Sequence, residues 1–134
     1  MKPVILCVDD ESIILKTLKR QLKDLYGNQL RYEIAESGEE AMSVIEELST
    51  EDAKVMVIVS DWMMPGMSGA TFLRKVHEQF PDIGLIILTG QADDAAIESA
   101  KRESGVQHCI RKPWAQEQLS DAVNSVLAKM NGGG

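Results

Sequence analysis

Three runs in this chain are apolar without alternation: Val4-Ile5-Leu6-Cys7-Val8, Val55-Met56-Val57-Ile58-Val59 and Leu85-Ile86-Ile87-Leu88. Each has the length of a strand. A strand that is apolar at every position needs cover on both faces, which is the mark of a parallel sheet. Longer segments of helical period lie between the runs. Ile14, Leu15, Leu18, Leu22 and Leu25 form one stripe, Ala41, Val44, Ile45 and Leu48 a second, and Leu119, Ala122, Val123, Val126 and Leu127 a third. The pattern predicts strands near Val4–Val8, Tyr32–Ala35, Val55–Ser60, Gly84–Thr89 and His108–Arg111. It predicts helices near Ser12–Tyr26, Gly38–Leu48, Ser68–Phe80, Ala92–Ser104 and Ala115–Met130. Five strands alternating with five helices imply an α/β, doubly wound parallel sheet with right-handed crossovers. The mixed run Tyr32-Glu33-Ile34-Ala35 suits an edge strand. Gly27, Gly105 and Pro65-Gly66 read as breakers between elements.

The length of 134 residues fits one domain, expected over 1–130, with 131–134 a flexible Gly-rich tail or the start of a linker. Aromatic residues are only 4%, so the core must be aliphatic. A formal net charge of -7 repels phosphate backbones, which argues against direct nucleic-acid binding. No apolar stretch approaches a membrane span. With no secretory signal, Cys7 and Cys109 read as buried free thiols and the expected compartment is the cytoplasm.

The residues that close the strands share a chemistry. The first strand runs into Asp9-Asp10, the third into Asp61, the fourth into Thr89 and the fifth into Lys112-Pro113. Open parallel sheets bind ligands beyond these C-terminal strand ends. Three carboxylates gathered there repel by roughly 4 kcal/mol per pair at close range in an effective dielectric of about 20. One lysine does not offset that, but a divalent cation does. Oxygen-only donors select magnesium, or manganese, over zinc. A carboxylate is also a competent nucleophile for phosphoryl transfer, a reaction that needs positioning and charge neutralisation. Lys112 can supply a point charge to the phosphoryl oxygens and Thr89 a hydrogen bond. Taken singly, each motif has a plain structural reading. An Asp pair caps a helix, Lys-Pro makes a turn, and Thr-Gly punctuates a strand end. Their joint occurrence at four strand ends, in order, favours the site.

The motifs Val8-Asp9-Asp10-Glu11, Ser60-Asp61-Trp62-Met63-Met64-Pro65-Gly66-Met67-Ser68-Gly69, Leu88-Thr89-Gly90 and Lys112-Pro113-Trp114 resemble the CheY-like receiver domain of two-component response regulators. The likeness extends from Val4 to about Met130. It, and not the residue pattern, implies a flavodoxin-like strand order 2-1-3-4-5. It implies Asp61 as phosphoacceptor, with Asp9 and Asp10 as the acidic pair at a magnesium site, one direct and one largely through water. The backbone carbonyl of Met63 would be a further ligand. Thr89 would be the switch hydroxyl, Lys112 the phosphate-binding lysine, and Gly90 the small residue that leaves room for the phosphoryl group. The Lys112–Pro113 bond would be cis. The phosphodonor would be a sensor histidine kinase or a phosphotransfer protein. Control would pass to an output domain or downstream protein, with a homodimer contact through the fourth helix, fifth strand and fifth helix. The stretch from Thr89 to Trp114 is similar to receivers attached to HD-GYP phosphodiesterases or associated with kinases. Met63, Met64 and Met67 offer either an adaptable partner surface or packing for their loop. One position departs from the pattern. Where receivers carry Tyr, Phe or His three residues before the lysine, this chain has Cys109, and His108 should point to the other side of the strand.

Competing readings fit less well. A phosphatase of the haloacid-dehalogenase type wants Asp-x-Asp after its first strand, and a flavin carrier wants a hydroxyl- or glycine-rich loop there. Asp9-Asp10-Glu11 is neither. A receiver-like interaction domain that is never phosphorylated would have no need of the intact set Asp9, Asp10, Asp61, Thr89 and Lys112.

Overall fold

Every continuously apolar run is a strand covered on both sides. The computed structural model describes residues 2–90 and 94–132. Strands β1 (Val4–Val8), β2 (Arg31–Ala35), β3 (Val55–Asp61), β4 (Gly84–Thr89) and β5 (Val106–Arg111) alternate with helices α1 (Ser12–Tyr26), α2 (Gly38–Thr50), α3 (Gly69–Gln79), α4 (Asp94–Ser104) and α5 (Gln116–Gly132). All pairings are parallel, in the order β2-β1-β3-β4-β5. This is the doubly wound, flavodoxin-like sheet. β2 is an edge, as its mixed sequence requires, and Ile34 on it stays exposed.

Side-chain alternation along the strands divides the core in two. Leu6, Ile58, Leu85 and Ile87 point to one face and meet Ala41 and Ile45 of α2, Phe72 and Val76 of α3, and Ala100 of α4. Ile5, Val57, Ile86 and Leu88 point to the other and meet Leu15, Leu18 and Leu22 of α1 and Leu119, Val123 and Val126 of α5. The interior is aliphatic, as the composition demands, with Phe72 its fully buried aromatic. Val126 lies directly on Gly84, where a β-carbon would collide with it, so α5 rests on the backbone of β4.

Several boundaries differ from those expected. α1 is followed by a 3-10 turn at Gly27–Gln29, and α2 continues to Thr50. Of the predicted α1 stripe, Leu15, Leu18 and Leu22 are buried, while Ile14 and Leu25 are half-buried at its margins. β5 begins at Val106, two residues early. A bulge explains why: Leu85 pairs with Val106 but Ile86 pairs with His108, so Gln107 is skipped. Val106 and Cys109, three residues apart, therefore share a face. α5 runs through Gly132, two residues past Met130. The predicted helix start at Ala92, with Gln91 and Asp93 beside it, lies outside the described residues, as do Gly133 and Gly134.

Candidate functional site

β1 and β3 are neighbours, so their C-terminal ends bring Asp9 and Asp61 together. Asp9 is completely buried. One of its oxygens, Oδ1, accepts the backbone N–H of Glu11 at 2.9 Å and turns the chain into α1. The other, Oδ2, accepts from Lys112 Nζ at 2.9 Å. Asp9 thus makes a turn ahead of the helix with one oxygen and faces the lysine with the other, while the N-cap of α1 is Glu11, with no side-chain capping bond. Asp10 is exposed on the same edge. Asp61 is the last residue of β3 and only 5% exposed, so its charge has little water to lean on. Carboxylate oxygens of Asp9, Asp10 and Asp61 all lie within 4.8 Å of one another.

The cation comes from the far side of the sheet order. Lys112 follows β5, and its backbone N–H donates to the Thr89 carbonyl at 2.9 Å, which ties the fifth strand end to the fourth. Its ammonium stands 2.9 Å from Asp9, 3.3 Å from Asp61 and 3.9 Å from Glu11. The Lys112–Pro113 peptide is cis. Thr89 is buried at the end of β4.

The electrostatics show a site short of positive charge. Burial, and then the Asp9 charge, push the Asp61 carboxyl up to about 6, against the pull of Lys112 and a hydrogen bond from the Met63 N–H. Burial draws the Lys112 ammonium down, but its hydrogen bond to Asp9 and the charges of Asp61 and Asp9 outweigh this and hold it above the usual lysine value. A single lysine is firmly charged here and still leaves Asp61 hard to ionise.

The loop after β3 is fixed by close packing. Trp62 N–H donates to the Leu88 carbonyl at 2.9 Å, and Gly69 N–H to the Trp62 carbonyl at 3.1 Å. A β-carbon at Gly69 would strike the Asp61 carbonyl, so only glycine lets α3 start this close to the Asp61 backbone. Glu39 of α2 accepts the Met67 N–H at 3.2 Å and straps the loop from its other side. Of the three methionines, Met64 is buried, Met67 is half-buried and Met63 is 68% exposed, so packing and display are divided among them. Among the described residues, a β-carbon at Gly90 would meet nothing within 4 Å. Cys109 is half-buried and packs with the α2–α4 side of the core, while His108 pairs in register with Ile86, whose side chain faces α1 and α5.

Of the residues singled out in the sequence, Asp9, Asp10, Asp61 and Lys112 meet at this edge and Thr89 closes the strand next to Asp61, while Cys109 lies within β5. Glu11 and Glu39 were not foreseen. The acidic run after β1 could have signalled Glu11, but nothing local signals that Glu39 reaches a loop 28 residues away.

A family model described as the response regulator receiver domain matches residues 5–124. The chain belongs to this family. As a receiver domain, it is a signalling module of two-component systems. It is 32% identical over 132 residues to the chemotaxis protein CheY homolog of Campylobacter jejuni, covering 97% of this chain and 96% of that one. It is also 32% identical over 123 residues to the hydrogenase transcriptional regulatory protein HoxA of Cupriavidus necator, covering 92% of this chain but only 24% of HoxA. The receiver thus spans about a quarter of that relative. Among solved structures, a response regulator receiver domain protein from Clostridium thermocellum superposes with a TM-score of 0.81 at 32% identity, over 96% of this chain and 97% of that one. The signal receiver domain of an HD domain-containing protein from Pseudomonas fluorescens reaches 0.85 at 27% identity, over 98% and 99%. Among the described residues, no helix of this receiver is long and apolar enough to cross a membrane.

Proposed function

We propose that this receiver accepts a phosphoryl group on Asp61 from a sensor histidine kinase or a phosphotransfer protein, and that the change is passed to an output domain or partner protein. The observation that carries the reading is the convergence of Lys112 on Asp9 and Asp61 at 2.9 and 3.3 Å, from three separate strand ends. A carboxylate oxygen of Asp61 attacks the phosphorus of a phosphorylated imidazole. The new O–P bond forms as the P–N bond breaks, and the electron pair returns to the imidazole nitrogen. Lys112 leaves Asp61 for a phosphoryl oxygen, and the Thr89 hydroxyl donates to another. The reverse economy of charge supports self-hydrolysis: water attacks the phosphorus, the P–O bond to Asp61 breaks, and the carboxylate leaves. The domain catalyses both steps on itself and turns over no free metabolite.

The donor set is all oxygen and carries more negative charge than Lys112 balances, which fits magnesium, or manganese. Asp9, Asp10 and Asp61 would hold it with the backbone carbonyl of Met63, and when bound it would neutralise the phosphoryl oxygens. Residues 1–130 constitute the receiver in this reading, with 131–134 leading into a tail or linker. The Pseudomonas fluorescens neighbour is the receiver of an HD domain-containing protein. The sensor kinase CckA of Brucella abortus is 36% identical over 97 residues. An HD-GYP-type or kinase output is therefore favoured, with a homodimer contact across α4, β5 and α5, in the cytoplasm and without direct contact to nucleic acid.

Acetyl phosphate with magnesium should add one phosphoryl group to the wild-type protein by intact mass. Asp61→Ala should add none. Equal modification of the variant would remove Asp61 from this role.

A further inference from the structure

The Lys112 ammonium is held at the site by carboxylates and its backbone N–H by Thr89, and the loop that follows it has a further tie. Trp114, two residues on, turns its indole toward α1 and donates Nε1–H to Oε1 of Gln21 at 2.7 Å. The Trp114 ring also packs against the core face formed by α1 and α5. An open groove of about 330 Å³ separates the loop from the helix, lined by Ile14, Thr17, Gln21, Lys112, Pro113 and Trp114. Gln21 is the part of α1 seen to bridge it by a hydrogen bond.

Four residues connect β5 to α5, from Lys112 to Ala115. The Lys112 N–H is anchored to Thr89 at one end, and the Ala115 N–H donates to Gln118 Oε1 at 2.8 Å at the other. Between these anchors, the Trp114–Gln21 bond sets how far the loop stands from α1. Lys112 reaches Asp9 and Asp61 from this loop on a flexible four-carbon stem, so the stance of the loop sets which of its side-chain conformations bring the ammonium to both carboxylates.

We infer that Gln21 and Trp114 form a latch that positions Lys112 for phosphoryl transfer, which makes both positioning residues rather than catalytic ones. This rests on the role proposed above for Lys112.

The molecule supplies its own control. Tyr26 Oη donates to Asn124 Oδ1 at 2.6 Å, a side-chain bond that joins α1 to α5 directly and does not involve the Lys112 loop. The test compares Gln21→Leu, which removes the acceptor, Gln21→Glu, which keeps one, Trp114→Phe, which removes the donor, and Asn124→Ala. Two readouts are taken: the limiting rate and half-saturating concentration for acetyl phosphate, and the Lys112 Cε resonance in protein carrying 13C-lysine. A misplaced reacting group costs up to about 100-fold, so a loosened one should slow the limiting rate roughly ten-fold. Gln21→Leu and Trp114→Phe should each do so with little change in half-saturation, and both should move the Lys112 resonance. The double variant should be no slower than either single one, Gln21→Glu should restore the rate, and Asn124→Ala should leave rate and resonance unchanged. An equal slowing by Asn124→Ala, multiplying effects in the double variant, or an unmoved Lys112 resonance would each overturn the latch. If the wild type takes no phosphoryl group, the proposed function fails, and the resonance alone decides whether the latch positions Lys112.

Discussion

Asp61 carries its negative charge against its surroundings, and pH exposes this. Its carboxyl sits at about 6 in the folded chain, against an ordinary 3.8. A folded value raised above the unfolded one means that the native state holds the proton more tightly. The resulting stabilisation is complete below pH 3.8 and is lost as pH rises through about 6. In chelator, the protein should therefore grow more resistant to urea as pH falls from 7 toward 4.5. Asp61→Asn should remove most of that slope and raise stability at pH 7 by about 2 kcal/mol, since each pKa unit is worth about 1.4 kcal/mol and the site edge is partly screened. An unchanged slope in the variant would show that the burden lies elsewhere. Asp10 is exposed and should contribute less to the metal-free strain, whereas the charge of buried Asp9 is already met by Lys112.

At the scale of elements, α4 is the part expected to respond if Thr89 has the role proposed for it. Cys109 packs on that side of the sheet but is too small to fill the space of an inward aromatic. With beryllofluoride in place of the phosphoryl group, amide exchange across 94–104 should change in the wild type. Thr89→Ala should blunt the change and Cys109→Ala should leave it nearly intact; a lost response in Cys109→Ala would make the thiol part of the switch. Strands β1, β3 and β4 were legible in the sequence because burial on both faces leaves an unbroken apolar run. The start of β5 was not, because the bulge at Gln107 breaks the rhythm that would have announced it. The shared edge of the carboxylates and the lysine was legible through a topological rule, since parallel strands deliver their last residues to one edge, while the role of each came from the resemblance. The reach of Glu39 to Met67 and of Trp114 to Gln21 was not, because a long side chain crossing between elements leaves no periodic trace.

For the molecule as a whole, the sheet separates two apolar clusters that share no side chain. Val76 of α3 belongs to one and Val126 of α5 to the other. Val76→Ala and Val126→Ala should each cost roughly 2 kcal/mol, and their double variant should equal the sum within about 0.5 kcal/mol in urea denaturation. Val76→Ala with Ile45→Val, within one cluster, should depart from the sum. Coupling between the cross-sheet pair as large as that within the cluster would refute the division. Where the division holds, the residues that refit α1 and α5 do not dictate which residues α2, α3 and α4 can accept, although both sets of losses come out of the one stability of the domain. Either flank of such a chain can drift toward a new companion without a matching change across the sheet, while the strand ends between them stay as they are.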